Sequence, residues 1–139
     1  MPNDPIDRWR DALILLARLL LMGLFLISGW GKLTDFSGTV AYMASQGAPL
    51  PVLATVIALV MEVLVALALV AGILTRPLAL LFALFVLGTA LLGHRFWMLE
   101  GAERAANLVQ FYKNLSIIGG LLLLAVTGPG RYAIGGRRN

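Results

Sequence analysis

Hydrophobic residues fall into four long runs that short polar stretches separate. A helix needs roughly 20 mostly apolar residues to cross a bilayer. Four runs approach or meet this length, at about residues 12–31, 52–74, 78–93 and 105–127. The pattern therefore predicts an all-α integral membrane protein, an antiparallel four-helix bundle that forms a single domain over residues 1–139.

The connection between the first two spans has a pattern of its own. Phe36, Val40 and Met43 recur at helical spacing, and Gly47 and Pro49 follow them. Apolar residues on one face of a short helix are typical of a helix that lies on the membrane surface, and Gly and Pro typically end such a helix. We expect a short interfacial helix between spans 1 and 2.

Composition agrees with a membrane protein and excludes several other classes. Hydrophobic residues make up 60% of the chain and charged residues 13%, whereas soluble domains are about half apolar and a quarter charged. The net charge of +4 comes from basic residues between the runs and near the termini, so a lipid bilayer is the expected partner and nucleic acid is not. With no cysteine and one histidine, the sequence has no metal or nucleotide signature.

The distribution of lysine and arginine predicts the orientation. Four spans place both termini on one side of the membrane. That side carries seven basic residues, namely Arg8, Arg10, Arg18, Arg76, Arg131, Arg137 and Arg138. The other side carries four, namely Lys32, Arg95, Arg104 and Lys113. Because cytoplasmic loops are enriched in basic residues, we expect both termini in the cytoplasm.

One acidic residue stands inside an otherwise uncharged stretch. Glu62 is the single charged residue between Phe36 and Thr75, and it lies about 16 Å into the second span at 1.5 Å per residue. Ionisable groups inside a membrane usually face protein or water and mark functional sites. Glu62 is therefore the candidate catalytic residue. The alternative is a neutral glutamic acid that holds helices together through a hydrogen bond.

Several segments together resemble a known family. They are "GLFLISGWGKLTDF", "MEVLVALALVAGILTRPLALLFALF", "HRFW" and "FYKNLSIIGGLLLLAVTGPGRY". Their order and spacing, over about residues 18–132, are similar to those of the DoxX family of small bacterial membrane proteins. The resemblance implies four transmembrane helices in the bacterial inner (cytoplasmic) membrane. Some relatives are linked to thiosulfate:quinone oxidoreductases and others to oxidative-stress complexes.

The resemblance also maps the polar positions of the family onto this chain. Beside Glu62, five candidate ligand-binding residues result, and all are expected toward the extracytoplasmic half: Lys32, His94, Arg95, Lys113 and Asn114. Such a cluster suits an anionic or quinone-like ligand. Lys32 and Arg95 have an alternative role as anchors that reach the headgroups at span ends. His94 has an alternative role as an interfacial hydrogen-bonding residue.

Two functions remain open from the sequence. The first is a redox-associated subunit that binds a quinone or another small apolar substrate near Glu62, with electrons supplied by a redox-protein partner. The second is a non-catalytic assembly or scaffold protein, so whether the chain is an enzyme is undecided at this point. A homo-oligomer is compatible with either function.

Two contacts are expected from depth along the helices. Glu62 and Lys113 lie on spans that run in the same direction, about 6 Å apart in height, so we expect Lys113 to meet Glu62, with Asn114 as the substitute. Arg18 lies one to two turns into the first span. We expect it to reach the headgroups or a polar partner at the end that holds the termini, away from Glu62.

Overall fold

The chain is all-helical in a computed structural model that describes residues 4–134. Helix α1 spans Pro5–Thr34 and α2 spans Phe36–Ser45. The second membrane span consists of α3 (Pro51–Leu59), a π-helical segment (Val60–Val65) and α4 (Ala66–Ala71). Helix α5 spans Thr75–Gly93, a 3₁₀ turn covers Phe96–Met98, and α6 spans Gly101–Thr127.

Four segments are long and apolar enough to cross a membrane, as the hydrophobic runs predict. They are Pro5–Thr34, Pro51–Ala71, Thr75–Met98 and Gly101–Thr127. Many leucines point outward, for example Leu20 at 71% exposure and Leu123 at 68%. In a bundle whose solvent is lipid, outward-facing leucines are favourable. The expectation of a helical membrane bundle is confirmed.

The core lies between spans and is built from large apolar side chains. Met22, Leu69 and Phe82 are fully buried. Phe25 meets Phe82 edge-to-face with 4.7 Å between ring centroids, and Phe82 meets Phe85 in the same manner. Helix α6 packs along α5, and α1 packs along the second span. These two pairs enclose the space in which the polar residues gather.

Local sequence explains where the short helix α2 begins and ends. Asp35 caps its first turn, because its carboxylate accepts a hydrogen bond from the backbone N–H of Gly38 at 3.1 Å. Gly47 follows the helix with φ +76°, a conformation that favours glycine. Pro51 then begins α3, where a missing N–H costs nothing. The predicted helix between spans 1 and 2 is present.

The core face of α1 includes an arginine. Arg18 is fully buried. Its Nη1 donates to the carbonyl of Pro129 at 2.9 Å, and its Nη2 donates to the carbonyl of Tyr132. The prediction that Arg18 meets polar partners at the end that holds the termini, away from Glu62, is confirmed. The partners are backbone carbonyls of the segment after α6.

That segment, residues 128–134, folds back across the end of the bundle. Besides the bonds from Arg18, the N–H of Arg131 donates to Asp11 Oδ1 at 3.0 Å, and the N–H of Ile134 donates to the carbonyl of Ala71 at 2.8 Å. The segment therefore joins α1 to the end of α4. We call residues 128–134 the closing segment.

The cytoplasmic position of the termini remains a prediction. Fused after Asn139, green fluorescent protein should fluoresce and alkaline phosphatase should be inactive, because the excess of basic residues favours retention of that end in the cytoplasm. Both fusions should be compared in cells of equal expression. An active phosphatase with a dark fluorescent protein would place the termini on the other side.

Candidate functional site

The four spans and α2 enclose a pocket in the half of the bundle opposite the closing segment. Its volume is about 450 Å³. Five of the six polar residues singled out in the sequence line it: Lys32, Glu62, His94, Lys113 and Asn114. The expectation that these residues converge agrees with the geometry. Apolar residues such as Leu24, Phe25 and Phe85 also line the pocket.

An ion pair lies in one wall of this pocket. Lys32 Nζ is 2.8 Å from Glu62 Oε2, and the side chains are only 20% and 8% exposed. Lys32 Nζ also donates to Ser28 Oγ at 2.6 Å, one turn earlier in α1. Glu62 Oε2 accepts no well-aligned hydrogen bond, so charge attraction dominates its contact with Lys32. The carboxylate is thus held beside a cation at the pocket surface.

Two features of the backbone bring these side chains together. Gly29 sits against the π-helical segment so closely that an added Cβ would lie 2.8 Å from Val63 Cγ2 and 3.1 Å from the carbonyl of Glu62. Only glycine permits this approach without displacement. The π-helical segment itself holds Glu62, and such segments occur frequently at functional sites. Ser28 and Lys32, which flank Gly29 in α1, therefore face the carboxylate.

The prediction that Glu62 pairs with Lys113 is wrong. Lys113 is exposed and donates to Gln110 Oε1 on its own helix. A small difference in height between two residues on neighbouring helices does not place their side chains on facing sides, because each residue turns the helix by about 100°. Lys32 takes the role instead, because α1 continues to Thr34 and Lys32 points back along it. Lys32 contacts Ser28 and Glu62, so its side chain points into the bundle and does not act as the headgroup anchor considered as the alternative.

Asn114 occupies the inward position that Lys113 does not. It is 5% exposed, and its Nδ2 donates to Thr89 Oγ1 on α5 at 3.2 Å. The substitute pairing of Glu62 with Asn114 is therefore also wrong. Thr89 lines the pocket as well and in turn donates to the carbonyl of Val86 at 2.8 Å. This chain of bonds fixes a polar patch on the α5–α6 wall.

His94 contacts the side-chain amide of Asn107 on α6. Asn107 Nδ2 donates to the carbonyl of Glu103 at 3.0 Å, which leaves Asn107 Oδ1 toward the ring. His94 Nδ1 lies 3.2 Å from that oxygen. An amide oxygen only accepts, so this contact is a hydrogen bond when Nδ1 carries the proton. The hydrogen-bonding role considered for His94 agrees with this contact.

Arg95 does not line the pocket. Its Nη2 donates to the carbonyl of Gln46 at 2.8 Å, at the end of α2. Arg95 is therefore connected to the pocket only through its hydrogen bond to Gln46, which lines it.

Reasoning from the sequence did not single out several polar residues that line the pocket, namely Ser28, Tyr42, Gln46 and Thr89. Ser28 carried a usable signal, since it lies four residues before Lys32 and shares its face of the helix. Within residues 4–134, no three His, Cys, Asp or Glu residues gather as metal ligands. The polar groups instead suit hydrogen bonding and proton exchange with a ligand that carries oxygen atoms.

Comparisons with known proteins agree with this architecture. The DoxX family model matches residues 13–95, which include Lys32, Glu62, His94 and Arg95. The inner membrane protein YphA of Escherichia coli (strain K12) is 50% identical over 125 residues, which cover 90% of this chain and 89% of the relative. The inner membrane protein YqjF of the same organism is 45% identical over 129 residues, or 93% and 94% of the two chains. No solved structure matches the chain significantly.

Proposed function

The chain belongs to the DoxX family of multi-pass inner-membrane proteins, and from this premise we propose that it binds a small, mostly apolar ligand beside the Glu62–Lys32 pair. The observation that carries the proposal is the pocket itself. Its volume of about 450 Å³ lies in the usual range of ligand sites, and its walls are apolar with a few fixed polar groups. A ligand dissolved in the bilayer meets such walls without losing a hydration shell.

A quinone is the ligand class that these groups suit best. Its two carbonyl oxygens accept hydrogen bonds, and Lys32 Nζ and the amide of Asn114 are donors on opposite walls. Lys113 and His94, which also line the pocket, would add a cation and a hydrogen-bonding ring.

The proposed chemistry is proton exchange coupled to electron transfer. Reduction of a quinone to a quinol takes up two electrons and two protons, and each carbonyl oxygen becomes a hydroxyl. Glu62 would pass protons to or from one of these oxygens, with Lys32 stabilising its carboxylate. A redox-protein partner would supply the electrons. Glu62 is thus proposed as the catalytic residue.

Filling the pocket should remove the ligand. Gly88 lines the pocket, and an added Cβ there meets no atom within 4 Å, so Gly88→Leu fills space without backbone strain. Protein purified in mild detergent should carry quinone that extraction, chromatography and mass spectrometry detect. We expect the amount in Gly88→Leu to fall about tenfold or more, because the ligand loses apolar contact area.

Gly119→Leu is the matched control. Gly119 is also helical and equally open, but it lies on the exposed side of α6, outside the pocket. It should retain the wild-type amount of quinone. The proposal is contradicted if Gly88→Leu and Gly119→Leu carry equal amounts of quinone, or if neither variant nor the wild type carries any. Absence of quinone together with unchanged capture of partner proteins by Glu62→Gln would favour the assembly or scaffold role.

A further inference from the structure

Helix α2 covers the pocket on the side opposite the closing segment. Tyr42, Met43 and Gln46 line the pocket, although no residue of α2 is buried. One side of the helix therefore faces the cavity and the other faces the surroundings. A ligand that passes this way must displace α2.

Besides its packing against α3 and α1, helix α2 is tied to the rest of the bundle by few hydrogen bonds. Its hydrogen bonds within residues 4–134 stay local, from the cap at Asp35 to the turn at Ala48, with one exception. The exception is the bond from Arg95 Nη2 to the carbonyl of Gln46. It joins the end of α2 to the turn that follows α5, 49 residues away in the sequence. A charged donor makes this bond stronger than a neutral one.

The geometry around this bond suits a device that opens and closes. Gly47, at φ +76°, follows the bonded residue directly, and an added Cβ there would lie 3.8 Å from Arg95 Nη2. The chain turns at that glycine into the link that leads to α3. With its carbonyl released, the C-terminal end of α2 can swing away on this link while the Asp35 cap stays in place.

We propose that α2 is a lid over the pocket and that Arg95 is the positioning residue that holds it closed. This assigns a role to the one polar residue singled out in the sequence that does not line the cavity. The role of the lid in ligand access rests on the proposed function of the pocket. Its test does not, because it measures access and uses no ligand.

The absence of cysteine from the chain allows a direct test. Ala58 lines the pocket at 3% exposure, so Ala58→Cys places one thiol beneath the lid. Its modification by the charged reagent MTSET, followed by mass spectrometry in detergent, reports how often the lid opens. We expect Arg95→Gln to raise the modification rate about tenfold, because the charged hydrogen bond is lost. Arg95→Lys, which keeps one donor, should raise it less.

Two controls distinguish opening of the lid from destabilisation of the whole fold. Arg104→Gln removes an arginine that lies over the Phe96 ring and makes no hydrogen bond to α2 within residues 4–134, so it should leave the rate unchanged. Ala83→Cys reports a buried core position of α5 outside the pocket. Equal rates at Ala58→Cys in Arg95→Gln and wild type overturn the proposal. A similar acceleration at Ala83→Cys also overturns it, because Arg95 would then stabilise the whole fold.

If Arg95→Gln does not fold, Arg95→Lys decides. A faster rate at Ala58→Cys alone supports the lid, and a rate equal to wild type overturns it. Failure of the lid is distinguishable from failure of the ligand proposal. The labelling rate does not depend on the quinone content of Gly88→Leu. Likewise, the absence of quinone from the pocket does not change the interpretation of the labelling rate.

Discussion

Replacement of Lys32 by methionine should destabilise the protein by about 3–5 kcal/mol, since it leaves Glu62 buried without its cation. Glu62 is 6% exposed, and no hydrogen bond within residues 4–134 compensates its Oε2. The effect should appear as a lower midpoint of thermal unfolding in detergent, followed by circular dichroism. Glu62→Gln should also destabilise, because Lys32 then keeps only its bond to Ser28.

The double variant tests whether the two residues act as a pair. Lys32→Met combined with Glu62→Gln should be less destabilised than the sum of the single variants, because no unpaired charge remains in the bundle. Lys113→Met is the matched control, since Lys113 also lines the pocket but is exposed and bonds to its own helix. Its cycle with Glu62→Gln should be additive. Coupling of Glu62 to Lys113 and not to Lys32 would contradict the observed pairing.

Removal of the closing segment should have a comparably large effect. A stop after Thr127 removes the carbonyls of Pro129 and Tyr132, which hold the fully buried guanidinium of Arg18. We expect a loss of about 3 kcal/mol or more, because hydrogen bonds to a charged group contribute roughly 1.5–3 kcal/mol each. Thermal unfolding in detergent again measures the change.

The loss should depend on Arg18. In an Arg18→Met background the same stop should cost much less, since no buried charge is left without acceptors. A stop after Ile134 is the control for shortening, because it keeps both carbonyls and the bond from Ile134 to Ala71. Equal losses in the Arg18 and Arg18→Met backgrounds would show that the closing segment acts through other contacts.

The spans could be predicted well from the sequence because their cause is local. Each run of apolar residues is favoured in lipid as a helix, whatever it packs against. The end of α1 was less clear, since Lys32 has the appearance of an anchor at a span end. Helix continuation to Thr34 and the close approach at Gly29 turn that lysine toward Glu62. Neither cause can be predicted from the hydrophobicity of the sequence.

Which residues belong to the site could be predicted better than which of them contact each other. Polar residues in apolar spans avoid lipid, so Glu62 and Asn114 had to face the interior. Which group meets which depends on helix rotation and on the π-helical segment, and these arise from packing between spans. The partners of Arg18 were hidden for another reason. They are the backbone carbonyls of Pro129 and Tyr132, and a backbone carbonyl leaves no signal in the pattern of charged side chains.

The burial of Arg18 has a consequence for biosynthesis. A ribosome delivers α1 first, whereas the acceptor at Pro129 lies 111 residues later in the sequence. During that interval the arginine faces lipid, water or the insertion machinery. The cost of such exposure reaches about 2.5–3.5 kcal/mol at the centre of a membrane helix and is lower toward the end of the apolar span, where Arg18 lies. The first helix to enter the membrane is therefore among the last to reach its final environment.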